Sequence, residues 1–312
     1  MRTRPATESI FATPTLADKL PLHPDAMLPQ PVIESVVEMA LAEDRPWGDM
    51  TSEAFLPRWI SVRLTVSPRR EGVLCGLPLA EAVFRRVAPE ASWEQAVADG
   101  ARAEAGSTVA AVTGSARNLL QGERVALNFL QHLSGIATLT AAYVSRAQEG
   151  NPGVKVTDTR KTTPGMRALE KYAVRVGGGT SHRFGLSDGV LVKDNHLAVL
   201  RRAGISLRQA IAGARRRIPH TCKIEVEVES PEQAQEALDS GADILLLDNM
   251  SPAAMREVVT QCQGRCLTEA SGNISLERVA EVAATGVDLI SVGALTHSAP
   301  ALDIGLDCSP AE

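Results

Sequence analysis

Between Val154 and Val292, six short apolar runs alternate with longer amphipathic stretches, and this pattern restricts the possible folds more than any other in the chain. The runs cover residues 154–157, 189–193, 223–228, 244–247, 266–270 and 289–292. Apolar residues at helical spacing mark residues 207–218, 231–240, 253–262 and 276–284 between them. Runs that are apolar throughout suit strands buried on both faces, and strands linked through helices run parallel. The repeated βα unit predicts an α/β fold whose parallel sheet is closed or nearly closed into a barrel. Six strands are fewer than the eight of a complete barrel, so an open, incomplete α/β barrel is expected. A doubly wound sheet is the alternative. No Gly-x-Gly-x-x-Gly follows the first run, which weakens a dinucleotide-binding version of it.

Upstream of Pro152 the pattern is mixed. Residues 32–43 have helical spacing and stop before Pro46, residues 60–66 alternate as a half-buried strand, and Gly72 and Gly76 enclose a short apolar segment. Residues 79–87 read as a helix, 101–106 as a turn and 108–113 as a strand, together suggesting an α+β domain. Residues 119–148 form the longest helical candidate and would link two domains, with Gly135 arguing against one unbroken helix. Residues 1–30 carry five prolines and no continuous apolar run, so they read as a loosely attached lead-in and not a secretory signal.

At 312 residues the chain has room for about two domains, or one large barrel. Its 44% hydrophobic and 22% charged residues are those of a globular protein. A net charge of −5 and 3% aromatics argue against wrapping or stacking nucleic acid. The five cysteines are irregularly spaced. Cys262 and Cys266 are four apart, but no further pair completes a zinc site, so all five read as reduced thiols of a cytosolic chain. No stretch is apolar for long enough to cross a membrane. The charge is unevenly placed: residues 158–223 hold 14 of the 32 Lys and Arg but four acids, and residues 224–270 hold ten acids against two arginines.

Barrel chemistry sits at the C-terminal ends of the strands. Here those ends run into Asp158-Thr159-Arg160-Lys161, Lys193-Asp194-Asn195-His196, Asp248-Asn249, Glu269-Ala270-Ser271-Gly272-Asn273 and Gly293-Ala294, while Glu225, Glu227 and Glu229 alternate along one run. Arg160, Lys161, His182, Arg183 and Lys193 would together hold several negative charges. The three glutamates would face the same way, into the barrel beside those cations. Glu227 and Asp248 suit Mg²⁺ or ribose hydroxyls, since hard cations prefer oxygen. The small residues Ser271, Gly272, Gly293 and Ala294 would let backbone N–H groups approach a phosphate.

Several of these runs occur together in one known family. Asp158-Thr-Arg-Lys-Thr-Thr-Pro-Gly-Met-Arg167, Gly177-Gly-Gly-Thr-Ser-His-Arg183, Lys193-Asp-Asn-His196, Gly122-Glu-Arg-Val-Ala-Leu-Asn128, Leu247-Asp-Asn249 and Glu269-Ala-Ser-Gly272 closely resemble the quinolinate phosphoribosyltransferases. The likeness runs from about Pro31 to Gly305. It implies an N-terminal α/β sandwich over residues 31–135, to which residues 298–312 return, and an open α/β barrel over 136–297. It implies a homodimer, or a hexamer of three dimers, with Arg124 supplied across the interface. It also implies a cytoplasmic, Mg²⁺-requiring reaction of quinolinate with phosphoribosyl pyrophosphate. In that reaction Arg124, Arg160, His182 and Arg183 grip quinolinate, and Lys161 and Lys193 lie near pyrophosphate and carboxylate. Glu227 and Asp248 face the ribose and metal, and Ser271, Gly272, Gly293 and Ala294 receive the 5′-phosphate. A paralogue acting on another acceptor is the near alternative. A Schiff-base lyase using Lys161 or Lys193 is the distant one.

Overall fold

A computed structural model describes residues 28–310. The reading of residues 1–30 as a lead-in therefore falls almost wholly outside the described residues. The first half comprises α1 (Gln30–Asp44), α2 (Met50–Phe55), β1 (Ser61–Pro68), β2 (Gly72–Val73), α3 (Leu77–Val87), β3 (Ser92–Gln95), β4 (Arg102–Ala103) and β5 (Ala110–Ser115), followed by the long helix α4 (Ala116–Gly150). Then come β6 (Lys155–Thr157), α5 (Arg167–Val176), β7 (Val190–Val192), α6 (Asp194–Arg202), α7 (Leu207–Arg215), β8 (Ile224–Val228) and α8 (Pro231–Ser240). The chain continues through β9 (Ile244–Asp248), α9 (Pro252–Cys262), β10 (Leu267–Ser271), α10 (Val279–Ala283), β11 (Leu289–Ser291), α11 (Ala294–His297) and β12 (Ile304–Pro310).

The six βα strands form one parallel sheet in the order β6-β11-β10-β9-β8-β7. β6 and β7 are its two edges, so the barrel is open there. A single bridge between Thr157 and Thr180 touches the gap. Ile224, Val226, Val228, Leu245, Leu247 and Ile290 are buried, as a sheet covered on both faces requires. Serines at 206, 230 and 251 cap α7, α8 and α9, each accepting an N–H from the first turn, and Pro231 and Pro252 follow two of them. The segment read as a turn at 101–106 includes β4, which pairs with β2. Its two residues are too few for a periodic signal. α7 ends three residues before the expected limit.

The second sheet is antiparallel, in the order β12-β1-β5-β3. The chain thus returns from the barrel to pair β12 with β1. Asp99 joins the two halves: it accepts N–H bonds from Gly76 and Leu77 at the start of α3 and the Tyr172 hydroxyl of α5, at 2.7 to 3.0 Å.

Contrary to the expectation at Gly135, α4 is unbroken over 35 residues. A Cβ at Gly135 would lie 2.1 Å from the Pro300 carbonyl oxygen, so this glycine admits the returning chain rather than interrupting the helix. Gly135→Ala is expected to lower stability by about 1–3 kcal/mol through overpacking, read as a fall in the urea midpoint. An unchanged midpoint would show that the segment moves freely.

Candidate active site

A cavity of about 550 Å³ opens at the C-terminal ends of the barrel strands. Arg160, Lys161, His182, Arg183, Lys193, Glu227, Asp248, Ser271 and Gly272 all line it, alongside Thr159, Asn249, Glu269, Asn273 and Ser291. A second cavity of about 520 Å³, between β7 and the pair α6 and α7, is lined mostly by aliphatic side chains and contains little that can do chemistry.

The cationic side rests on a buried ion pair. Lys171, from α5, donates to Asp158 at the end of β6, and both side chains are almost wholly buried. Asp158 also accepts the His182 N–H at 2.9 Å, and Lys171 donates to the His182 carbonyl at 3.1 Å. One pair thus fixes two loops: the one bearing Arg160 and Lys161, and the one bearing His182 and Arg183. Burial pushes the Asp158 carboxyl up and the Lys171 ammonium down, each partly offset by the other's charge. Buried Glu170 braces the first loop again, accepting the Thr163 N–H at 3.1 Å while facing His132 at 3.1 Å. Burial and then the charge of Arg160 lower the Arg183 pKa, against an opposing pull from Glu225, and among the described residues neither arginine forms a salt bridge with a carboxylate.

Beneath them, His182 Nε2 lies 3.2 Å from Glu225 and 3.5 Å from Glu269, both buried. The Arg183 backbone N–H points at His182 Nδ1 at 2.7 Å. Burial opposes a charged ring and the two carboxylates favour one, a balance that raises its pKa. The contact at Nδ1 nonetheless leaves Nε2 as the protonated nitrogen. The three side chains are close enough to suit a metal ion, but a metal on Nε2 would strip the ring of its last proton. His182 faces both carboxylates, and Glu225 Oε1 and Glu269 Oε1 are buried without a hydrogen-bond partner among the described residues. Both ring nitrogens face groups of the protein, Nδ1 the Arg183 N–H and Nε2 the two carboxylates.

Burial and the charge of Glu225 push the Glu269 carboxyl up to about 7, against relief from His182 and Ser291 and a further push from Asp158. Unfolded, it titrates near the ordinary value of about 4.3. Between those values the folded chain holds a proton that the unfolded chain has released, so stability falls as pH rises toward 7 and stays low above it. Glu269→Gln is expected to be more stable than the parent at pH 8 by about 1–3 kcal/mol, with the gap closing near pH 4.5. Parallel melting curves for the two proteins across this range would refute the assignment.

The acidic side is built on β8 and β9. Glu227 accepts from Lys193 Nζ at 2.8 Å, and Asp248 accepts from the Asn249 side chain at 2.9 Å. The Asn249 side chain then accepts from Asn273 at 2.9 Å, and its backbone N–H donates to the Ser271 carbonyl. Asn249 and Asn273 both take positive φ, and a Cβ on Gly272 would lie 2.3 Å from Asn249 Oδ1. Only glycine fits between them, which leaves backbone exposed at the cavity wall.

Two family models match the chain: quinolinate phosphoribosyl transferase, N-terminal domain, over residues 49–134, and its C-terminal domain over residues 136–307. The chain belongs to the quinolinate phosphoribosyltransferase family. It is 43% identical over 278 residues to a nicotinate-nucleotide pyrophosphorylase (carboxylating) of Mycobacterium leprae, covering 87% of this chain and 95% of that one. It is 42% identical over 265 residues to a probable enzyme of the same name from Bacillus subtilis, covering 85% and 89%. The crystal structure of NadC from Streptococcus pyogenes superposes with a TM-score of 0.86 at 41% identity, over 92% of this chain and 99% of that one.

Not every residue that the family resemblance proposed lies in the cavity. Arg124 is exposed on α4 and does not line it. Gly293, the cap of α11, and Ala294, its first residue, do not line the cavity either, although a Cβ on Gly293 would lie 3.1 Å from Cδ of the lining residue Lys161 and 3.2 Å from His297 Nε2. Glu229 does not continue the inward row, because β8 ends at Val228 and Glu229 is exposed, with its N–H held by Gln233. The cavity residues missed at the outset are Thr159, Asn249, Glu269, Asn273 and Ser291. The first four stand within strand-end runs whose polarity was visible, and only their burial and bonding were hidden.

Proposed function

We propose that this cavity transfers the phosphoribosyl group of phosphoribosyl pyrophosphate to quinolinate with decarboxylation, giving nicotinate mononucleotide, pyrophosphate and CO₂ for NAD biosynthesis. One observation carries this reading. A single cavity sets Arg160, Lys161, Arg183 and Lys193 against Glu227 and Asp248, with the Ser271-Gly272 turn between Asp248 and Asn273. Two polyanionic substrates and a reacting centre that becomes positive call for that division. Arg160 and Arg183 bind the dicarboxylate, Lys161 and Lys193 lie toward pyrophosphate and carboxylate, and Ser271, Gly272, Gly293 and Ala294 take the 5′-phosphate. As pyrophosphate leaves, the ribose carbon gains positive character, and the pyridine nitrogen bonds to it. Glu227 and Asp248 stabilise that charge. The ribosylated nitrogen then draws electrons from the ring. The bond from the neighbouring carbon to its carboxylate breaks, CO₂ departs, and a proton takes its place.

Mg²⁺ fits the donors present, because it commonly uses one or two carboxylates together with substrate phosphates. Glu227 and Asp248 would hold it, and when bound it neutralises charge on the pyrophosphate. Arg124 would reach the cavity of a second copy in a homodimer, the basic unit of any hexamer. Its exposure supports this, as does the exposed group Trp47, Met50, Phe55 and Trp59 on and around α2. A cytoplasmic location belongs to the same reading. Among the described residues, no helix is long and apolar enough to cross a membrane.

The deciding experiment incubates the protein with quinolinate, phosphoribosyl pyrophosphate and Mg²⁺ and measures nicotinate mononucleotide. Nicotinic acid in place of quinolinate should give none. Product from nicotinic acid alone would establish the paralogue reading. Lys193 Nζ is engaged by Glu227 at 2.8 Å and is not free to attack a carbonyl, so borohydride with a carbonyl substrate should trap nothing at this lysine. Glu227→Ala is expected to lower kcat about 100- to 1000-fold and leave both KM values within a few fold. A rise in KM at unchanged kcat would reassign Glu227 to ground-state binding.

A further inference from the structure

Outside the cavity, two thiols meet at the turn between α9 and β10. Cys262 ends α9, and Cys266 precedes β10. Gln263 and Gly264 between them take φ of 46° and 73°, and these successive left-handed residues fold the chain back until the two Sγ atoms lie 3.3 Å apart. Arg265 closes the turn by donating to the Gln261 carbonyl at 2.9 Å. Cys262 is buried and Cys266 half-buried. β10 has five residues, so the pair lies roughly 15 Å from Ser271 at the other end of the strand.

We propose that Cys262 and Cys266 form a hydroperoxide-sensitive dithiol that closes reversibly to a disulfide across this turn. The Cys262 sulfur is the first to react. The hydrogen bond from Cys266 pulls its pKa down, outweighing burial, and the Arg265 charge adds to the effect, while the Cys266 thiol is pushed up. The Cys262 thiolate attacks one peroxide oxygen, the O–O bond breaks, and the departing hydroxide takes up a proton. The resulting sulfenic acid is attacked by the Cys266 sulfur. An S–S bond forms, the S–O bond breaks, and water leaves with the Cys266 proton. Two thiols are oxidised and one hydroperoxide is reduced. The backbone already brings the sulfurs together, so closure outpaces further oxidation to the irreversible sulfinic and sulfonic acids.

The test treats the reduced full-length protein with hydrogen peroxide, blocks the remaining thiols under denaturing conditions, and follows intact mass and tryptic peptides. The wild type is expected to lose about 2 Da before blocking and to present two fewer thiols. Residues 257–265 and 266–278 should be recovered as one species that dithiothreitol separates. Cys262→Ser should give neither this species nor the mass loss, whereas Cys266→Ser should leave Cys262 to collect oxygen atoms. The proposal fails if the wild type accumulates oxygen adducts without the link. It fails equally if Cys266 joins another cysteine such as Cys222, or if Cys262→Ser still loses the same mass.

Discussion

Replacing Lys171 by methionine is expected to destabilise the protein by about 3–5 kcal/mol, the largest single-residue loss foreseen for this chain. The substitution leaves Asp158 buried with no countercharge, and such orphaned charges cost that much. The side chain of Lys171 is 1% exposed and that of Asp158 0%, so water cannot take over. The double variant Asp158→Asn with Lys171→Met should recover most of the loss, because two neutral groups carry no Born penalty and the amide oxygen can still accept the His182 N–H. Urea unfolding of the four proteins in the cycle checks this. Equal losses in the single and double variants would show that packing, and not charge, is what Lys171 supplies.

Arg160→Ala is expected to raise the quinolinate KM about 100-fold, about 2.7 kcal/mol of binding, and to change that for phosphoribosyl pyrophosphate far less. Among the described residues neither Arg160 nor Arg183 forms a salt bridge with a carboxylate, so their attraction is available to a dianion. Arg160 Nε is buried and bonded to nothing among the described residues. Arg160→Lys should restore only part of the affinity, because an ammonium cannot grip a carboxylate through two parallel N–H bonds. Steady-state kinetics with each substrate varied in turn separate the two effects. A wild-type quinolinate KM in Arg160→Ala would end the assignment.

The parallel strands were legible because burial on both faces leaves a strand no choice but apolar residues, as in residues 244–247. Their polar ends were legible for the complementary reason: a barrel has one wet mouth. Helix α5 was harder to see, because Glu170 and Lys171 are buried charges, and charge in a sequence reads as surface. Their partners, His132, Asp158 and Thr163, come from other elements, and no local spacing announces them. Glu269 was visible as a strand-end acid, but its raised pKa comes from burial and then from Glu225 on a strand two places away in the sheet, neither of which local spacing announces. Gly135 was misread because its reason lies 165 residues downstream, in the carbonyl of Pro300. Arg124 has no cavity contact in its own chain, so only the resemblance to the family gave it a role.

The pairing of β12 with β1 also sets an order of events during synthesis. β1 leaves the ribosome early, yet one of its two neighbours is made only after the whole barrel, with registered partners such as Val66 and Leu306 separated by most of the chain. Until then the first sheet has an open edge beside β1, able to pair with another nascent chain. Translation that stalls inside the barrel would therefore release a first half that is unfinished and prone to aggregate. Slow decoding just before β12 should lower soluble yield more than the same delay placed before β1, when no sheet edge is yet exposed.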